Sequence, residues 1–137
     1  MLKGIHHVAY VVADLDRTIE MFERVFAMKP DRREVHETWG QEVALYALES
    51  GGTLEVITPL HENTPWAEFL RRHGDGIHHI GYAVDDVNAT LEQLESKGVR
   101  LKDRRAQLSG VGWTVASIDP ESTNGLWVQL VERDRRE

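Results

Sequence analysis

The sequence contains no cysteine. Disulfides and thiolate metal sites are therefore excluded, and any bound metal must be held by nitrogen and oxygen ligands. Because a chain without cysteine suits a reducing compartment, we expect a cytoplasmic protein.

Long apolar runs and dense basic tracts are also missing. No apolar run approaches the roughly 20 residues that a membrane-spanning helix needs, and the first residues lead into a strand pattern rather than a signal peptide. The formal net charge is −7, and arginine pairs occur only locally, at 32–33, 71–72 and 104–105. We therefore expect a soluble protein that has neither nucleic acid nor a membrane as a partner.

An internal duplication is the most informative feature of the chain. The segment from Gly4 to Asp14 reads GIHHVAYVVAD, and the segment from Gly76 to Asp86 reads GIHHIGYAVDD. Because 137 residues suffice for one well-buried domain but not for two independent ones, we expect a single domain over residues 1–137. The expected parts are repeat one at 4–60, a linker at 61–75 and repeat two at 76–132.

Each repeat is predicted to contain one strand, one helix and three further strands. Apolar alternation predicts the strands, while N-cap residues followed by apolar positions at helical spacing predict the helices. In repeat one we expect strands at 4–12, 32–38, 41–48 and 52–58 and a helix from Asp14 to Pro30. The linker is expected to carry a helix from Thr64 to Gly74.

In repeat two we expect strands at 77–84, 99–106, 112–118 and 125–131, a helix from Asp85 or Asp86 to Gly98, and a hairpin at Asn124-Gly125. The fully charged tail from Glu132 to Glu137 is expected to fray into solvent. The overall prediction is an α+β fold in which two βαβββ repeats form curved sheets around a shared metal-containing cavity.

Strand periodicity separates the two histidines of each pair. Side chains alternate between the faces of a sheet, so His6 and His7 lie on opposite faces. The positions in phase with His6 are bulky and apolar and suit a helix-covered face. They are Val8, Tyr10 and Val12. We therefore expect His7 and His79 to face the cavity, and His6 and His78 to be structural.

The remaining histidines, His36, His61 and His73, are expected in loops or at the surface.

Two polar residues interrupt otherwise apolar strands. Glu55 lies within TLEVI and Gln129 within LWVQL, and each would cost several kcal/mol if it were buried without a partner. With His7 and His79 they would form a set of two imidazoles, one carboxylate and one amide oxygen, which suits Zn, Ni, Co, Mn or Fe. A strand histidine is more often a core or surface residue. The duplicated histidines with matched Glu and Gln nevertheless favour a metal site.

Four stretches are distinctive enough to indicate a family. They are HHVAY followed by DLD, TLEVITPL, FLRRHGDGIHH and DPESTNG. Together they resemble the vicinal oxygen chelate superfamily and, within it, the methylmalonyl-CoA epimerases, over about residues 4 to 131. The resemblance implies metal ligands at His7, Glu55, His79 and Gln129, a homodimer, and an acyl-CoA as a candidate substrate.

Gln129 departs from that family, because the epimerases usually carry glutamate at this last-strand position. An amide can ligate a metal through oxygen but cannot accept a proton at neutral pH. Epimerisation removes a proton on one face of the α-carbon and returns it on the other, so two acid/base groups are expected. Glu55 is one candidate. Glu42, in the middle strand of the first sheet, is the second, with an exposed strand glutamate as the alternative interpretation.

Trp127 is in phase with Gln129, so we expect it to line the substrate cavity, with simple core packing as an equal alternative. No motif of the chain itself identifies coenzyme A. The arginine pairs could meet its phosphates, although arginine pairs in loops are usually only solvated.

The predicted function is that of a divalent-metal-dependent epimerase or isomerase that transfers a proton α to a carbonyl, similar to methylmalonyl-CoA epimerase. The nearest alternative is a glyoxalase-like lyase or isomerase, which transfers the proton on one face only and is favoured by Gln129. An extradiol-type dioxygenase ranks third, because that family carries its metal-binding carboxylate on the last strand, where this chain has Gln129. A non-catalytic drug-binding protein of the bleomycin-resistance type is the alternative from another class.

Overall fold

A computed structural model of the protein describes residues 1–133. Its strands are β1 (Gly4–Val11), β2 (Arg32–His36), β3 (Gln41–Ala47), β4 (Thr53–Pro59), β5 (Gly76–Val84), β6 (Gln107–Leu108), β7 (Thr114–Ser117) and β8 (Val128–Glu132). Its helices are α1 (Leu15–Phe26), α2 (Pro65–His73) and α3 (Val87–Ser96), and short 3-10 turns cover Glu37–Trp39 and Pro120–Thr123.

Residues 7–78 form one compact unit. Its strands are arranged in the order β2-β3-β4-β1, with β1 parallel to β4 and antiparallel pairing of β2 with β3 and of β3 with β4. Strands β3 and β4 form a hairpin. It closes at Gly51 and Gly52, whose φ angles of 103° and 85° lie in the left-handed region that glycine adopts without strain.

Helix α1 covers one face of this first sheet. It starts at Asp14, whose carboxylate accepts a hydrogen bond from the N–H of Arg17 at 3.0 Å. The buried helix residues Leu15 and Phe22 pack against the sheet. Their partners in this core are Val12, Ala44, Tyr46 and Val56. The prediction that a helix covers this face of β1 is therefore confirmed.

Residues 1–6 and the chain from residue 79 onward form the second compact unit. The strands of repeat two are arranged β5-β8-β7-β6, with β5 parallel to β8 and antiparallel pairing of the others. Helix α3 starts at Asp86, whose carboxylate accepts a hydrogen bond from the N–H of Ala89 at 2.9 Å. The α+β class with two βαβββ repeats is thus confirmed. The single domain over residues 1–137 stays a prediction.

Two predicted element ends are wrong. Helix α1 ends at Phe26 instead of reaching Pro30, because Ala27 adopts a left-handed conformation with φ 54° that stops the helix. Asn124-Gly125 does not close a tight hairpin. Asn124, with φ 57°, ends the 3-10 turn inside a longer connection between β7 and β8.

The strand predicted at 99–106 is also wrong. This segment makes an isolated bridge between Leu101 and Ile118, and the paired strand β6 begins only at Gln107. The carboxylate of Asp103 accepts hydrogen bonds from the side chain of Gln107 at 2.7 Å and from the N–H of Ser117 at 2.8 Å. The side chain of Asp103, together with hydrogen bonds from the N–H groups of Lys102 and Asp103 to the carbonyl of Ser117, both at 3.1 Å, thus holds the segment against β7.

The charged tail begins later than predicted. Strand β8 includes Glu132, and the N–H of Arg133 donates a hydrogen bond to the carbonyl of Val84 at 2.9 Å. The rest of the tail, residues 134–137, lies outside the described residues. Within residues 1–133, none of the helices combines the length and apolar character needed to cross a membrane.

A substitution at Gly40 tests the contact between the first 3-10 turn and α2. Gly40 has φ 63°, and a Cβ at this position would lie 2.6 Å from Cγ2 of Thr64, the N-cap of α2. We expect Gly40→Ala to lower the free energy of unfolding by about 2–4 kcal/mol, through backbone strain and the clash together. Urea denaturation measures the loss.

Gly51→Ala is the matched control. Gly51 also has a left-handed φ, of 103°, but a Cβ added there would meet no atom within 4 Å. Its substitution should cost only the backbone strain, about 1 kcal/mol. Equal losses for the two variants would contradict the clash with Thr64.

Candidate metal centre

Strand register places His7 and Glu55 on one face of the first sheet. His7 is paired with Thr53 and Ala9 with Glu55 across β1 and β4, and residues that are paired across strands share a face. The opposite face packs against α1. The separation of His7 from His6 that the periodicity predicted is therefore present in β1.

His7 and Glu55 are both buried, with exposed fractions of 1% and 6%. The Nε2 atom of His7 lies 3.8 Å from Oε1 of Glu55, which is too far for a direct hydrogen bond. Two metal–ligand bonds of about 2.1 Å each can span up to about 4.2 Å between ligand atoms. The spacing of this pair is thus compatible with one shared ion.

Burial shifts the pKa values of Glu55 and His79 in opposite directions. It raises the pKa of the Glu55 carboxyl to about 7 and lowers the pKa of the His79 imidazole to about 4. Both groups are thus driven towards their neutral forms. A divalent cation would favour the ionised carboxylate and the neutral imidazole, which are the forms that ligate metals.

The register of repeat two places Gln129 on the same face as His79. Gly81 is paired with Gln129 across β5 and β8, and Ser117 is paired with Gln129 across β7 and β8. His79 is two residues from Gly81 in β5, so its side chain points to the same face. Gln129 is half-buried on this face, and its predicted role as a further oxygen ligand stays a prediction.

The three predicted histidine and glutamate ligands come together. Ligand atoms of His7, Glu55 and His79 lie within 4.8 Å of one another, and all three residues are buried. Two imidazole nitrogens and one carboxylate oxygen suit a borderline divalent ion. These residues therefore form a possible metal site, and the chemistry of the donor set does not distinguish among Zn, Ni, Co, Mn and Fe.

Glu42, the second predicted acid/base residue, is not brought to this group. Glu55 is paired with Leu45 across β3 and β4, so Glu42, an odd number of residues away, lies on the opposite face. There its carboxylate accepts a hydrogen bond from Nε of Arg33 at 2.9 Å. Arg33 also contacts the carboxylate of Asp16 in α1 at 2.7 Å. Glu42 therefore helps to tie α1 to the sheet.

Trp127 lies immediately before β8 and keeps 43% of its surface exposed. The ammonium group of Lys102 lies 5.0 Å from the centre of its ring, within the range of a cation–π contact. The predicted role of Trp127 in a substrate cavity stays a prediction.

The other histidine of each pair makes aromatic contacts. The ring of His6 lies edge-on against Trp113 with centroids 4.7 Å apart. His78 is buried and packs edge-on against Trp66 and Phe69 of α2, with both centroid distances 5.0 Å. These packing contacts fit the structural roles predicted for both residues.

A polar chain on β2 and β3 was not predicted from the sequence. The chain links Arg32, Glu34, His36 and Gln41 through their side chains. The signal was present, because Arg32, Glu34 and His36 alternate with other residues along a predicted strand and must share a face. The expected loop or surface position of His36 is therefore wrong, because this residue ends β2 and is half-buried.

Comparison with known proteins gives consistent matches over nearly the whole chain. A sequence model of the Glyoxalase/Bleomycin resistance protein/Dioxygenase superfamily matches residues 6–117. The ethylmalonyl-CoA/methylmalonyl-CoA epimerase of Cereibacter sphaeroides is 29% identical over 132 residues, which cover 95% of this chain and 98% of that protein.

Solved structures agree with this similarity. The crystal structure of methylmalonyl-CoA epimerase from Mycobacterium tuberculosis matches with a TM-score of 0.89 and 30% identity, over 98% of this chain and 91% of that chain. A variant of Streptomyces coelicolor methylmalonyl-CoA epimerase in complex with 2-nitronate-propionyl-CoA matches with a TM-score of 0.88 and 26% identity, over 100% of this chain and 99% of that chain.

Glu55→Gln tests the cost of ionising a buried carboxyl in the metal-free protein. The pKa of Glu55 is raised to about 7, so its contribution to stability is present below the unfolded-state pKa and is lost as the pH rises through 7. Relative to wild type, the variant should gain stability between about pH 5 and about pH 8, by up to about 3 kcal/mol. Urea denaturation in the presence of a chelator measures this difference.

Glu42→Gln is the control, because its carboxylate is partly exposed and ion-paired with Arg33 on the other face of the sheet. It should show no comparable gain. His79, whose pKa is lowered to about 4, contributes stability that is lost as the pH falls through that value, equally in wild type and Glu55→Gln. A pH-independent difference between wild type and Glu55→Gln would contradict the raised pKa.

Proposed function

The chain belongs to the glyoxalase/bleomycin resistance protein/dioxygenase superfamily, and on this basis we propose that it is a divalent-metal-dependent epimerase that moves a proton α to the carbonyl of an acyl-CoA. The observation that carries the proposal is the buried group of His7, Glu55 and His79. Its epimerase relatives match nearly the full length of the chain, which supports the same reaction class.

In this proposal His7, Glu55 and His79 hold the ion, and Gln129 adds an amide oxygen from the same face as His79. A divalent ion bound there supplies Lewis acidity, which polarises a substrate carbonyl and makes its α-proton more acidic. Wild-type metal content after purification would identify the ion among Zn, Ni, Co, Mn and Fe.

Glu55 is the group that we assign to proton transfer. Its carboxylate would be ionised when a cation is bound and could accept a proton from a substrate whose α-proton that cation makes more acidic. Ala9, which is paired with Glu55 across β1 and β4, has a small side chain that leaves space beside the carboxylate. The burial of Glu55 keeps bulk water away from the reacting groups.

A homodimer, a cytoplasmic location and an acyl-CoA substrate are further parts of the proposal. The family resemblance supports the dimer, and the absence of cysteine supports a reducing compartment. The epimerase relatives support the substrate class, since the Streptomyces coelicolor structure contains 2-nitronate-propionyl-CoA. The buried three-residue group argues against a non-catalytic drug-binding protein, which has no need of these ligands.

A glyoxalase-like lyase or isomerase is the second candidate function. It is favoured by Gln129, because an amide cannot carry a proton to the second face of the α-carbon. Glu42 cannot take over this role, since it lies on the helix-covered face. Proton transfer on one face needs Glu55 alone.

Metal removal and substitution of Glu55 test the proposed chemistry together. We expect the metal-loaded protein to exchange the α-proton of methylmalonyl-CoA in deuterated water, and chelation to abolish the exchange reversibly. Glu55→Gln should lower the exchange rate by about 100-fold or more, while Glu42→Gln should leave it nearly unchanged. Mass spectrometry and NMR follow the deuterium content.

α-Proton exchange that continues after chelation would contradict the proposed metal dependence. Absence of exchange with metal bound would exclude methylmalonyl-CoA as a substrate. Equal effects of Glu55→Gln and Glu42→Gln would remove the assignment of Glu55.

The stereochemical outcome distinguishes the two candidate functions. Starting from one epimer of methylmalonyl-CoA, an epimerase should produce the other epimer at a rate comparable to deuterium uptake, because the proton returns on the opposite face. Chiral analysis of the recovered thioester measures the inversion. Deuterium uptake with complete retention of configuration would favour the glyoxalase-like reaction.

A further inference from the structure

A hydroxyl group lies beside Gln129 in repeat two, and it belongs to Ser117. Ser117 of β7 is paired with Gln129 of β8 in the register of these antiparallel strands, and paired residues share a face. His79 points to the same face, because it lies two residues before Gly81, the partner of Gln129 in β5. The hydroxyl, the amide and the imidazole therefore lie on one face of the same compact unit.

The backbone hydrogen bonds show how close Ser117 and Gln129 are. The N–H of Ile118 donates to the carbonyl of Val128 at 3.1 Å, so the residues next to this pair carry the backbone bonds between the strands. Ser117 and Gln129 are thus a non-hydrogen-bonded pair, in which the Cα atoms are about 4.5 Å apart and the side chains approach most closely. The short side chain of Ser117 is within reach of the longer one of Gln129.

The backbone of Ser117 is fixed on the side that faces away from β8. Its N–H donates to Oδ2 of Asp103 at 2.8 Å, and its carbonyl accepts from the N–H groups of Lys102 and Asp103, both at 3.1 Å. The side chain of Gln107 donates to the other carboxylate oxygen of Asp103 at 2.7 Å. These bonds use the backbone of Ser117 and leave its hydroxyl available to the neighbouring side chain.

Towards the end of β8 this face is otherwise apolar. The neighbours of Gln129 in the strand pairing are a glycine, which has no side chain, and three apolar residues that are at most 8% exposed. They are Gly81, Ala83, Val115 and Val131. A half-buried amide on such a face loses hydration, and each of its polar atoms then needs a partner. Among these paired positions, Ser117 offers the polar side chain.

The two ends of a glutamine amide are similar in size and opposite in hydrogen-bonding character. The oxygen of Gln129 can ligate a cation, whereas the nitrogen carries two N–H donors and cannot. When the oxygen faces an ion, the N–H groups point away from it and need an acceptor. The hydroxyl oxygen of Ser117 can be this acceptor.

We propose that Ser117 is a positioning residue for Gln129: its hydroxyl accepts a hydrogen bond from Nε2 of the amide and holds Oε1 towards the ion. This inference rests on the proposed function, in which Gln129 adds an amide oxygen from the face of His79. Hydrogen-bond partners of metal ligands orient them, and their loss typically weakens metal binding by about 10- to 100-fold. Asp103 contributes by fixing the backbone of Ser117.

The affinity of Ser117→Ala for Co²⁺ tests the proposal. Titration of the metal-free protein in competition with a chromophoric chelator measures this affinity. Ser117→Ala should bind Co²⁺ about 10-fold more weakly than the wild type, because the N–H groups of Gln129 lose their acceptor. Ser117→Thr keeps the hydroxyl and should bind Co²⁺ with nearly wild-type affinity. An unchanged affinity of Ser117→Ala would overturn the proposal.

Thr114→Val is the matched control, because it removes a hydroxyl from the same strand on the opposite face. Thr114 lies in phase with Ala116, which belongs to the core that includes Val87 and Leu91 of α3. Its substitution should leave the Co²⁺ affinity unchanged, and equal losses for Thr114→Val and Ser117→Ala would overturn the positioning role. Thermal melting of the metal-free variants checks that each of them folds.

A double-mutant cycle tests whether Ser117 acts through Gln129. Gln129→Ala should weaken Co²⁺ binding, and Ser117→Ala should have little further effect in that background, because the amide that it orients is gone. Additive losses of affinity would overturn the proposal. The absorption spectrum of bound Co²⁺ reports its ligands, so the spectrum of Ser117→Ala should shift towards that of Gln129→Ala. A spectrum identical to that of the wild type would contradict the positioning role.

These measurements separate this inference from the proposed function. If His7→Ala abolishes Co²⁺ binding while Gln129→Ala leaves it unchanged, the metal centre stands and the role of Ser117 is overturned. If the Co²⁺ affinities change as expected but the wild type exchanges the α-proton of no acyl-CoA thioester, the proposed function fails and the role of Ser117 stands.

Discussion

The burial of one carboxylate is the constraint on which the candidate site depends. Glu55 lies in β4 on an apolar face of the sheet, and the cost of ionising it there raises its pKa to about 7. His7 approaches it to 3.8 Å, which is a contact without a hydrogen bond, and His79 completes the group with an imidazole that burial keeps neutral. A cation relieves the cost of ionisation, and a substrate proton can also do so. Binding a metal ion and accepting a substrate proton would therefore both offset the cost of burying the ionised carboxylate of Glu55.

Much of this site could be predicted from the sequence, because its information is local and repeated. The duplicated GIHH segments identify two equivalent strands, and the period of a strand then separates His7 from His6 without knowledge of any tertiary contact. Glu55 and Gln129 were visible as polar interruptions in apolar strands for the same reason. These predictions needed only the residue pattern within individual strands.

Glu42 shows where this reasoning stops. Its face depends on the register between β3 and β4, which is fixed by the Gly51-Gly52 hairpin and by the packing of Tyr46 under α1. A shift of one residue reverses the face of every side chain in a strand, so period alone left Glu42 undecided. The burial of His36 is hidden from the sequence for a related reason, since it follows from contacts with Glu34 and Gln41. The early end of α1 at Ala27 is hidden as well, because alanine rarely adopts a left-handed conformation.

The position of β2 has a consequence for solubility. β2 ends the strand order of its sheet, so one of its sides presents backbone donors and acceptors to which another chain could add a strand. Its sequence Arg-Arg-Glu-Val-His places ionic groups on both faces of this edge. Charged edge strands discourage such additions, which otherwise lead to aggregation. The charged side chains of β2 thus form a border that keeps neighbouring molecules apart, and a substitution that removes one of these charges also alters the colloidal behaviour of the protein.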